Sequence, residues 1–129
     1  MTRIAALIVL GILALTGCAS ASASTQKLEP QAFADAASTP GVVVLDVRSQ
    51  EEFAAGHLPD AVNLNVEDAG FADAIATLDP NVTYAVYCLS GRRSGIATSE
   101  MEQAGFTSLI DLQGGVQSWQ QSGGELTTG

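Results

Sequence analysis

Largely apolar runs and helical spacings take turns along this chain. Residues 42–45, 61–64, 82–87 and 109–112 are short stretches rich in Val, Leu, Ile and Tyr. The first is unbroken and mostly β-branched, as expected of a strand buried on both faces of a parallel sheet. Helical patterns lie between them. Pro30 suits the first position of a helix that puts Phe33 and Ala37 on one face and stops at Thr39-Pro40-Gly41. Ser49 and Glu52 have capping-box spacing for a short helix reaching about Ala55 and ending at Gly56. His57-Leu58-Pro59-Asp60 then reads as a turn. Asp68 is placed to cap a helix with Phe71, Ile75 and Leu78 at i, i+4 and i+7, which Asp79-Pro80-Asn81 breaks. A fourth helix aligns Ala97, Met101 and Ala104 and ends at Gly105, and Gly114-Gly115 opens a fifth with Val116 and Trp119 inward. From Gly123 the chain reads as a loose tail.

Strands alternating with helices predict an α/β fold, a parallel sheet covered by helices on both faces. Ligands of such folds bind beyond the carboxyl ends of the strands. Asp46, Arg48 and Cys88 all fall at that edge, which makes Asp46 and Arg48 candidates for the rim of a pocket. Arg48 could also pair with Glu52 at i, i+4, a small contribution if exposed. His57, in its turn, reads as structural and bonded to backbone.

The most informative stretch is 82–95, V-T-Y-A-V-Y-C-L-S-G-R-R-S-G. A strand ends on Cys88, a tight glycine-bearing loop follows, and a helix begins. Backbone N–H groups converge on a negative atom in that setting. With Arg92 and Arg93 beside it, such a thiol is expected to favour its thiolate. Cys88 is therefore a candidate nucleophile for small anions; the plainer alternative is an inert buried thiol.

Charge sharpens that contrast. Fourteen acids face five bases, for a net charge of −9, which argues against nucleic acid and anionic lipid as partners. Two of the five bases are Arg92 and Arg93. No nucleotide-type glycine loop, repeat or metal-ligand cluster is found, and neither a cofactor nor a metal is expected.

The N-terminus carries a different message. Arg3 precedes an apolar run, 4–15, that is shorter than the roughly 20 residues of a membrane span and has the shape of a signal peptide. It ends in Leu15-Thr16-Gly17-Cys18, which resembles the bacterial lipobox. Residues 1–17 would be the signal peptide and Cys18 the lipidated N-terminus. Residues 18–25, small and polar, would be a flexible tether. The protein is then expected to be exported and lipid-anchored on the extracytoplasmic side of a bacterial membrane, facing periplasm or cell surface. With Cys18 lipidated, Cys88 is a lone thiol and unsuited to a disulfide.

Three motifs occur in order: Leu45-Asp46-Val47-Arg48 with Glu52-Phe53 and Gly56-His57-Leu58-Pro59; Tyr87-Cys88-Leu89-Ser90-Gly91-Arg92-Arg93-Ser94; and Asp111-Leu112-Gln113-Gly114-Gly115 with Trp119. Together they resemble a single rhodanese (sulfurtransferase) domain over about residues 26–122, with 123–129 as the tail. The resemblance implies a three-layer α/β/α fold with a mainly parallel five-stranded sheet. It also implies that Cys88 carries a sulfane sulfur as a persulfide inside the loop Cys88 to Arg93. The amides of Leu89, Ser90, Gly91, Arg92, Arg93 and Ser94 would stabilise the anionic sulfur. Arg92 and Arg93 would hold an anionic donor such as thiosulfate, and which of the two points inward stays open. The sulfur would pass to cyanide or a thiol. Cysteine phosphatases and arsenate reductases share the fold, but their loop places an arginine six positions after the cysteine, where this chain has Ser94. Two roles remain: a thiosulfate sulfurtransferase with free turnover, or a tethered persulfide carrier or sensor serving an extracytoplasmic redox or sulfur-relay protein.

Overall fold

The structure, a computed structural model, describes residues 24–129. The expected signal peptide, Cys18 and nearly all of the tether lie outside the described residues.

Among the described residues five strands and five helices alternate: β1 (Gln26–Leu28), α1 (Pro30–Ala37), β2 (Val43–Asp46), α2 (Gln50–Ala55), β3 (Val62–Asn63), α3 (Phe71–Ala76), β4 (Tyr84–Tyr87), α4 (Arg92–Gln103), β5 (Leu109–Leu112) and α5 (Gly115–Gln121). The sheet order is β1-β5-β4-β2-β3 and every pairing is parallel. Because side chains alternate across a strand, the central strands feed two cores. Tyr84, Val86 and Cys88 join Leu45, Ile75, Ala97 and Met101 under α3 and α4. Ala85 and Tyr87 join Phe33, Val44, Leu112 and Val116 under α1 and α5. This is the three-layer α/β/α arrangement.

Several local expectations are corrected. The four apolar runs become β2 to β5, but β1 has no such run: Gln26 and Lys27 are exposed, and the strand exists through its register with Ile110 and Asp111 of β5. Just before it, Thr25, expected as the end of a tether, donates from its N–H and hydroxyl to Glu102. Asp68 does not cap α3. Gly70 holds that position without a side-chain bond, and the Asp68 carboxylate instead accepts from Asn65. The tail is not loose. Thr127 and His57 exchange backbone hydrogen bonds of 2.9 and 2.8 Å, and Trp119 Nε1 donates to the Glu125 carbonyl at 3.0 Å.

Candidate active site

β4 delivers Cys88 to the carboxyl edge of the sheet, between its neighbours β2 and β5, and the chain then has only Leu89 and Ser90 before it must turn. Gly91 makes that turn at φ +102°, a left-handed conformation glycine adopts without strain, and forms the N-cap of α4. The turn brings the Gly91 N–H to 3.0 Å from Cys88 Sγ. Ser94, wholly buried in the first turn of α4, sets its Oγ 3.5 Å from the same sulfur. The thiol is itself only 1 % exposed.

The other side of the loop is held by α5. The Cys88 carbonyl accepts from Val116 N–H at 2.9 Å and the Leu89 carbonyl from Gln117 N–H at 3.1 Å. In a planar trans peptide the C=O and the following N–H point in opposite directions. These two bonds therefore turn the N–H groups of Leu89 and Ser90 away from α5. Gly115 permits so close an approach. A Cβ at that position would lie 2.5 Å from the Cys88 carbonyl oxygen and 2.5 Å from the Leu89 carbonyl.

The arginines have separated roles. Arg93 forms a two-pronged ion pair with Glu52 of α2, Nη1 to Oε1 at 2.7 Å and Nη2 to Oε2 at 2.9 Å, with Glu67 4.0 Å from its Nε. Hydrogen bonding to Arg93, against the opposing effect of burial, holds the Glu52 carboxyl down at about 2. Arg92 is exposed and, among the described residues, has no ion pair. Both arginines occupy the first turn of α4, which contains no acid. Cations there oppose the helix dipole, so the sequence accepts a small electrostatic cost at this end of the helix.

Glu52 was expected to complete a capping box or to meet Arg48. It does neither in full. Ser49 Oγ accepts from Glu52 N–H at 3.2 Å, but the Glu52 carboxylate turns to Arg93, because a charge-assisted fork outcompetes a neutral amide. Arg48 turns to Asp46. Its Nη2 lies 2.7 Å from Asp46 Oδ2 and 2.7 Å from the Gly56 carbonyl. Tyr87 Oη donates to Asp46 Oδ2 at 2.6 Å and accepts from Leu58 N–H at 3.0 Å. Burial, followed by that bond to Asp46, pushes the Tyr87 hydroxyl far above its usual range. Asp46 is fully buried and Arg48 4 % exposed. The expectation of a pocket rim is therefore corrected: these two residues form a latch beneath the site that fastens β2 to the α2–β3 turn. His57 accords with its structural reading, with Nδ1 3.0 Å from the Phe53 carbonyl and its ring stacked on Phe53 at 3.8 Å.

One charged residue near the loop opens the third motif but carries no role in the sequence reading. Asp111 on β5 is 2 % exposed, and its Oδ1 has no hydrogen-bond partner among the described residues. Burial raises its carboxyl above the usual range, opposed by Ser94 and Lys27. The motif marks the position, but an acid within an apolar strand does not by itself announce burial. Among the described residues no group of three or more His, Cys, Asp or Glu side chains is gathered to hold a metal ion. An apolar cleft of about 450 Å³ lies between α1, β2 and the Leu58–Val62 segment, away from Cys88. The candidate site is thus a tight loop around one sulfur, with Arg92 at its edge as the loop's one cation without an ion pair among the described residues.

A family model for the rhodanese-like domain matches residues 29–122. The chain is 33% identical over 90 residues to the thiosulfate sulfurtransferase GlpE of Pseudomonas fluorescens, covering 70% of this chain and 81% of that one. It is 32% identical over 87 residues to a sulfurtransferase of Allochromatium vinosum, covering 67% and 79%. Among solved structures, a rhodanese-related protein of Thermoplasma volcanium superposes with a TM-score of 0.70 at 25% identity, over 81% of this chain and 99% of that one.

Proposed function

The chain belongs to the rhodanese-like domain family, and on that premise we propose that it moves a sulfane sulfur through a persulfide on Cys88, from thiosulfate or a similar donor to cyanide or a thiol. The observation that carries this reading is the Gly91 N–H aimed at Cys88 Sγ from 3.0 Å, within a loop whose carbonyls are drawn off by α5. In the loading step the Cys88 thiolate attacks the outer sulfur of thiosulfate. The Sγ–S bond forms, the S–S bond of the donor breaks, and its electron pair leaves on sulfite. Cys88-S-S⁻ remains and no external oxidant is needed. The terminal sulfur then passes to cyanide as thiocyanate, or to a thiolate as a new persulfide, and the Cys88 thiolate returns. The loop amides stabilise the charge on sulfur as an oxyanion hole stabilises oxygen.

Intact-protein mass spectrometry tests this directly. Thiosulfate should add one sulfur, about 32 Da, to Cys88, and cyanide should remove it. An unchanged mass with thiosulfate and with polysulfide alike would overturn the reading.

Location is part of the same proposal. A lipid on Cys18 would tether the domain outside the cytoplasmic membrane, where a carrier role with a redox or sulfur-relay protein is the second reading. Cys18→Ser should move the protein from the detergent phase to the aqueous phase on phase separation. An unchanged distribution would remove the lipid anchor.

A further inference from the structure

Loop arginines invite the assumption that both serve an anionic donor. The geometry assigns them differently. Arg93 spends its two terminal nitrogens on the Glu52 carboxylate, at 2.7 and 2.9 Å, and Glu67 stands 4.0 Å from its third nitrogen. Two carboxylates thus surround one guanidinium, and the charge around that side chain is balanced or negative. Arg92 remains as the loop's one cation without an ion pair among the described residues. The loop also presents an apolar face: Leu89, next to the nucleophile, is 39 % exposed. Beyond the loop, a net charge of −9 repels dianions over the whole surface.

We propose that Glu52 is a specificity-determining residue: by closing Arg93 in an ion pair it biases the site toward the persulfide of an uncharged organic thiol and away from the thiosulfate dianion. This rests on the persulfide reading of Cys88. The step balances without a co-reactant. The Cys88 thiolate attacks the outer sulfur of R-S-SH, the Sγ–S bond forms as the donor S–S bond breaks, and the electron pair leaves on R-S⁻. The proton stays on the terminal sulfur, giving Cys88-S-SH, or is released to solvent. The organic group R has Leu89 to lie against. A sulfonate would meet the Glu52 and Glu67 carboxylates beside whatever Arg93 offered it.

The test compares two donors, thiosulfate and the persulfide of 2-mercaptoethanol, by the second-order rate constant for loading Cys88 on the full chain. Intrinsic reactivity differs between the donors, so the informative quantity is the effect of one variant on each. Glu52→Gln keeps the shape and the bond to Ser49 but removes the charge. It should raise the thiosulfate rate constant about tenfold relative to that of the organic persulfide, the size expected for one charge beside a dianion near a protein surface. Glu67→Gln, on an exposed side chain that holds nothing else in place, should move the same ratio in the same direction by about twofold. A ratio unmoved by both variants, or both donors changing equally, would overturn the assignment and leave Glu52 a structural partner of Arg93. Failure of both donors to load the unaltered protein would instead overturn the persulfide reading itself.

Discussion

Cys88→Ser should abolish sulfur transfer while leaving the domain folded. A serine hydroxyl cannot bear a sulfane sulfur, and loss of a covalent nucleophile lowers turnover by about 10⁴-fold or more. The fold should survive because the replacement is nearly isosteric and arrives with partners in place. The Gly91 N–H stands 3.0 Å away to donate to the new oxygen, and Ser94 Oγ lies 3.5 Å off. Thermal unfolding by circular dichroism should move by a few degrees at most, and the mass gain with thiosulfate should vanish. Cys88→Ala is the companion, removing the polar atom altogether with the same loss of transfer. Thiocyanate formation retained by either variant, at more than about a hundredth of the original rate, would sink the mechanism.

The second large effect concerns stability. Asp46→Ala should destabilise the protein by about 3–5 kcal/mol, because it strands the Arg48 guanidinium in the interior. Asp46 is the acceptor for Arg48 Nη2 at 2.7 Å, Arg48 N–H at 2.9 Å and Tyr87 Oη at 2.6 Å. Arg48 Nε also donates to this carboxylate, at 3.1 Å, and of these donors only Nη2 would keep a second acceptor, the Gly56 carbonyl. For a domain of this size each kcal/mol lowers the melting temperature by about 4–8 °C, so the loss is measurable by calorimetry or urea titration. The physical cause is separable. Replacing both partners, Asp46→Leu with Arg48→Met, removes the stranded charge and should restore much of the stability. A single-variant loss below about 1 kcal/mol would show that water reaches Arg48 and that the latch contributes little.

A different acid gives the pH dependence. The Glu52 carboxyl is held down at about 2, first by its bond to Arg93. A group depressed in the folded state lends its stability above its ordinary range and loses it as pH falls through the folded value. The α2–α4 connection is therefore complete at neutral pH and is released only in strong acid.

What the sequence made legible was whatever is local. A buried strand writes itself as an apolar run, so β2, β4 and β5 were readable within a residue or two, and the loop after Cys88 declared itself by Gly91 and two arginines on an acidic chain. What it hid was whatever is settled by a partner far along the chain. β1 is three residues long, carries Gln26 and Lys27, and owes its conformation to β5. Asp46 at a strand end looks equally like a pocket acid or a buried anchor until Tyr87 is seen above it. Glu52 and Arg93 are 41 residues apart, so helix spacing pointed Glu52 at Arg48 instead. The closing segment, polar and glycine-rich, gave no hint that Thr127 pairs with His57.

The bonds from Val116 and Gln117 to the carbonyls of Cys88 and Leu89 bear on how the protein is made. Synthesis runs from the N-terminus, so Cys88 leaves the ribosome well before α5 exists. Until Val116 and Gln117 dock, nothing draws those two carbonyls aside. Domains fold as units once their chain is complete. Here the loop's orientation waits for the last helix, so a chain interrupted before Gly115 would carry every residue of the loop without the two bonds that turn its carbonyls toward α5.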